Sequence, residues 1–90
     1  MTLEKLYPMP CPFRIGDIIH DTSFDHIGTV VRIYGEFAEY QIEGTKGAKG
    51  LRYTTEKDSK RIGRVENESE IKRMEAEAKI FIKKIRRGNG

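Results

Sequence analysis

Tryptophan is absent, cysteine occurs once, and the only three prolines fall at Pro8, Pro10 and Pro12. A lone Cys11 excludes an intramolecular disulfide and suits a reducing compartment, so a cytoplasmic location is expected. No apolar run approaches the roughly 18 residues that span a bilayer. The opening Met1 to Leu6 lacks the basic start and long apolar core of a signal peptide, and no membrane partner is expected. The chain also lacks a glycine-rich phosphate loop, a nucleophile elbow and paired acid–base carboxylates. It therefore reads as non-enzymatic, with no cofactor.

What is present fits one small domain of 90 residues, in which hydrophobic residues make up 37% and charged residues 34%. The net charge of +3 is unevenly spread. Residues 1–43 are acidic on balance, residues 44–64 are strongly basic, and residues 65–90 are mildly basic. A basic block beside an acidic one attracts either a polyanion or a protein of matching polarity.

The alternate prolines make residues 1–12 an extended arm, laid across the domain by Leu6, Tyr7 and Phe13. From Phe13 to Val65 short strands alternate with turns. Strands are expected at Ile15–His20, Ile27–Tyr34, Phe37–Glu43, Leu51–Thr54 and Arg61–Val65. The third alternates, with Ala38, Tyr40 and Ile42 facing one way and Glu39, Gln41 and Glu43 the other. Five short strands in about 50 residues suggest a closed or nearly closed small barrel, which removes exposed edges. The period then changes. Asn67 and Glu70 have capping-box spacing, and Ile71, Met74, Ala78, Phe81 or Ile82, and Ile85 form one helical stripe. The expected fold is mainly β with a C-terminal α-helix: a five-stranded barrel over 13–65 and an amphipathic helix over 66–87 of the same domain.

One opening phrase supports that fold. Phe13-Arg14-Ile15-Gly16-Asp17-Ile18-Ile19-His20, followed by Phe24, Gly28-Thr29-Val30 and Ile33, resembles the start of Tudor-like and KOW-like SH3 barrels. Similar phrases open the RNA-polymerase-interacting domain of CarD and the C-terminal domain of UvrD/PcrA helicases. The resemblance implies an SH3-like barrel and a partner such as RNA polymerase or a repair or defence complex. Residues 66–90 match nothing in it, and the loop from His20 to Gly28 is longer than the usual form.

Two functions from different classes follow. In the first, the chain docks on a larger protein machine as an accessory or inhibitor, through Tyr34, Phe37, Glu39, Ile82 and Ile85. The far half of the helical stripe is then left for a partner or for a second copy in a homodimer; packing on the barrel is its plainer role. In the alternative, Lys46, Lys49, Arg52, Tyr53, Lys60, Arg61 and Arg64 bind DNA or RNA through phosphates, with little sequence preference. Gly44, Gly47 and Gly50 would let the loop backbone approach a phosphate chain. His20, Asp21, Asp25 and His26 have metal-ligand chemistry, but strand-end and loop roles explain them, and no metal site is expected.

Overall fold

A computed structural model describes the backbone of residues 11–88 and the side chains of residues 11–80. The proposed arm lies largely outside the described residues. Five antiparallel strands, β1 (Asp17–Asp21), β2 (His26–Tyr34), β3 (Phe37–Ile42), β4 (Leu51–Thr54) and β5 (Ser59–Arg64), are followed by α1 (Glu68–Gly88). They form one sheet in the order β4-β3-β2-β1-β5.

Local chemistry sets each junction. Before β1, Gly16 takes φ +96°, and the Arg14 amide donates to the Asp17 carboxylate at 2.8 Å. The β2–β3 loop has two residues, with Gly35 at φ +57°; glycine at the first central position marks a type II′ hairpin. Asn67 caps α1, its side-chain oxygen accepting from the amides of Ser69 and Glu70 at 2.9 and 3.2 Å. Glu70 itself lies 3.9 Å from Arg73.

The period-two pattern of β3 places Ala38 and Tyr40 on the inner face with Ile19, Val30 and Phe13, forming the core. Cys11, Ile33 and Ile42 pack around them. The other face carries the helix. Ile71 sits over Gly16, where a side chain would meet it at 3.0 Å, and Ala78 is also buried. Met74, Glu77 and Ala78 share a cleft with Val31, Arg32, Gln41 and Leu51. Thus the early part of the apolar stripe packs on the domain, whereas the side chains of Ile82 and Ile85, and any homodimer contact through them, lie outside the described residues.

The sheet is open, which corrects the expected SH3-like barrel and the Tudor-like and KOW-like reading of residues 13–65. The two strands that closure would join, β4 and β5, are the sheet's edges. They meet at a corner, where the Thr54 and Ser59 hydroxyls lie 2.7 Å apart across the 55–58 turn. From that corner β5 follows β1, its residues pairing from Asp21↔Ser59 to Asp17↔Arg64, while β4 follows β3. In the sheet order β4 pairs with β3 and β5 with β1, and no β4–β5 ladder closes the ring. A bulge in β5 skips Ile62 in the register and leaves its side chain 55% exposed.

Candidate functional surface

Cross-strand register gathers five side chains on the outer face at the β2–β3 hairpin end. Tyr34 pairs with Phe37, Arg32 with Glu39, and Glu39 with Tyr53. Directly paired residues share a face, so these form one contiguous patch. The Tyr34 and Tyr53 rings lie 6.0 Å apart, inclined by 56°. Phe37 is 44% exposed and Tyr53 60% exposed. Beneath them Glu39 is buried and bonded to the Arg32 guanidinium. The Glu39 carboxylate, helped by some burial and a hydrogen bond, pushes the Tyr53 phenol above its ordinary range.

Glu39 therefore forms the ionic floor beneath exposed aromatics, and is covered where the alternation pattern places it facing solvent. Tyr53, grouped by sequence with the basic residues, lies instead beside Tyr34 on this patch. The missing signal was register: residues 34 and 53 are brought together only by the β2–β3–β4 ladders.

The basic residues divide into engaged and free. The Arg52 guanidinium donates to the carbonyls of Lys49 and Leu51 at 3.0 and 2.7 Å. Arg64 reaches the buried Asp17 carboxylate at 2.7 Å. Lys46 and Lys49 are exposed in the β3–β4 loop, which ends in a 3₁₀ turn over Ala48–Gly50. Lys60 and Arg61 are exposed on β5, at the far edge of the sheet order. The run 46–64 is thus spread over both edges, which meet at the Thr54–Ser59 corner.

The acidic and histidine side chains of the β1–β2 hairpin are engaged within it and by Tyr40 of β3. Tyr40 donates to Asp21 at 2.7 Å, and the Ser23 amide donates to the same carboxylate at 3.0 Å. His26 Nδ1 lies 3.4 Å from the Tyr40 hydroxyl, with its ring stacked on Phe24. His20 Nε2 is 2.7 Å from Asp25, which occupies φ +55°. Among the described residues no group of three or more His, Cys, Asp or Glu side chains could hold a metal ion. The Cys11 thiol is pushed up mainly by burial.

The cleft between α1 and the sheet holds about 220 Å³, less than the roughly 300–1,000 Å³ of ordinary small-molecule pockets. Among the described residues no helix is long and apolar enough to cross a membrane. Neither the models of protein families, nor the curated proteins, nor the solved structures offer a match to this chain.

Proposed function

We propose that this protein is a non-catalytic binding module of the cytoplasm that docks on a larger protein through the outer-face patch of Tyr34, Phe37 and Tyr53. The observation that carries this reading is one aromatic patch on one face, with Phe37 and Tyr53 exposed and Tyr34 half-buried beside them, above the Arg32–Glu39 pair. Tyrosine and phenylalanine offer large contact area at little entropic cost, and such residues are enriched at interface centres. The buried ion pair holds the floor beneath them in one arrangement, so little ordering is left for the moment of binding.

The test is capture of partners from native lysate, with nuclease present, by the wild-type protein and by a Phe37→Ala/Tyr53→Ala variant of unchanged fold. A protein held by the wild type through moderate salt and lost by the variant supports the reading. Equal retention by both chains overturns it.

A second reading, nucleic-acid binding through phosphates, is favoured by the exposure of Lys46, Lys49, Lys60 and Arg61, none of which has an ion-pair partner among the described residues. It predicts retention of nucleic acid alone, lost steeply as salt rises.

A further inference from the structure

The open sheet leaves two edges, and they are unlike. On β5, Lys60 and Arg61 are exposed and the Ile62 bulge breaks the regular row of backbone groups. Charge and bulges are the usual means of blunting an edge against strand pairing. On β4, the only charged side chain is Arg52, and it turns back to the carbonyls of Lys49 and Leu51.

Hydrogen bonding narrows the open part of β4 to one residue. The Leu51 amide donates to Ala48, and its carbonyl accepts from Arg52. In an antiparallel strand the amide and carbonyl of a residue point the same way, alternating along the chain. Leu51 and Tyr53 therefore face away from β3, and Leu51 is already satisfied. Beyond β4, the Thr55 carbonyl accepts the amides of Asp58 and Ser59. The amide and carbonyl of Tyr53 are left open at this edge, on the residue whose side chain is 60% exposed beside Tyr34.

The charge around this edge selects a partner. Residues 44–57 carry Lys46, Lys49, Arg52 and Lys57 against Glu56 alone, and Lys46, Lys49 and Lys57 are exposed with no ion-pair partner among the described residues. A second copy would bring like charges together at the same edge. An acidic segment would be attracted.

We propose that the partner contributes an acidic, extended peptide segment that adds a strand to the β4 edge. One of its residues exchanges both backbone hydrogen bonds with Tyr53. An apolar side chain of the segment then lies on the Tyr34–Tyr53 rings, and its carboxylates face Lys46 and Lys49. This rests on the aromatic surface proposed above and supplies the partner's chemistry and mode of attachment.

The probe is a blocked octapeptide alternating glutamate with valine, titrated into the whole protein while the backbone amide resonances are followed. The expected result is a shift centred on the Tyr53 amide. Replacing the glutamates by lysines weakens binding at least about tenfold, and Lys49→Glu, a change in an exposed loop, weakens it several-fold. Methylating the peptide amides along one edge weakens binding about tenfold, as loss of the donor to the Tyr53 carbonyl requires, while methylating the other edge does not. An unmoved Tyr53 amide, or equal binding of both methylated peptides, overturns strand addition. So does a concentration-dependent dimer formed without peptide, or a single-stranded oligonucleotide that shifts Tyr53 more strongly than the peptide.

The two proposals fail separately. If Phe37→Ala/Tyr53→Ala loses the cellular partner but the edge-methylated peptides bind alike, the aromatic surface stands and strand addition falls. If the peptide pairs with Tyr53 while that variant keeps its partner, the reverse holds.

Discussion

The phenol of Tyr40 donates a 2.7 Å hydrogen bond to the Asp21 carboxylate, and both side chains are sealed from solvent. This bond ties β3 to the end of β1 across the intervening strand. A buried charge held this way stabilises the fold only while its donors remain, so the pair invites removal of one partner.

Tyr40→Phe keeps the ring's packing and leaves Asp21 with the Ser23 amide as its remaining donor in this network. The expected cost is about 1–3 kcal/mol, the penalty of an under-satisfied buried acceptor. Urea unfolding followed by circular dichroism measures it, and a change below a few tenths would show that Asp21 is solvated in the variant.

The same pair sets an alkaline limit on stability. Burial, then the hydrogen bond to Asp21 and its charge, push the Tyr40 phenol well above its ordinary value. The unfolded phenol ionises near about 10. Its contribution to stability is complete below that pH and is lost as pH rises toward the folded value, because the unfolded chain releases a proton that the native state retains. Stability measured across the alkaline range falls in the wild type and falls less steeply in Tyr40→Phe.

Arg64 is read from sequence as a phosphate contact, yet it neutralises Asp17, which is only 1% exposed. Arg64→Ala leaves that carboxylate with the Arg14 amide and costs about 1–3 kcal/mol, reduced from a fully buried pair because the arginine is partly solvated. Lys60→Ala, on the same strand, stays within about 0.5 kcal/mol. Parallel denaturant titrations separate the two roles, and equal stability of the variants would remove the structural one from Arg64.

Two glycines distinguish steric from conformational demand. A Cβ on Gly28 would collide with the Gln41 carbonyl and the Tyr40 ring, backbone and core that have little room to move. Gly28→Ala is expected to cost about 2–4 kcal/mol. Gly44, with φ +80° and open space around it, costs about 1 kcal/mol as alanine. Thermal unfolding ranks them, and the reverse order would contradict the packing of β2 on β3.

Asn67→Ala removes the acceptor for the Ser69 and Glu70 amides and is expected to cost about 1 kcal/mol, while Asn67→Asp is tolerated. Helical signal against urea checks both. No difference between them would mean that α1 is held by Ile71 and Ala78 alone.

Much of the secondary structure was legible because its signals are local. The alternation of Phe37 to Glu43 and the β-branched run of Ile27 to Tyr34 mark strands, and Asn67 before a three-and-four-residue stripe marks the helix. The strand ends shift by up to two residues; β5 begins at Ser59 because Ser59 already pairs with Asp21. The polar interior was less legible. Asp17, Asp21 and Glu39 look like surface carboxylates, and they are buried because Arg64 and Tyr40, far along the chain, and Arg32, across the β2–β3 hairpin, arrive to satisfy them.

By itself, the sequence determined the number and order of the elements, the inward set of Ala38 and Tyr40, and the helix cap, since each depends on residues a few positions apart. Only the tertiary structure decided that the sheet stays open, that Tyr34 and Tyr53 meet, and that the basic run divides between two edges. Those outcomes depend on which strand pairs with which and in what register. That choice is made by packing and hydrogen bonding between residues far apart in the chain, which no local period encodes.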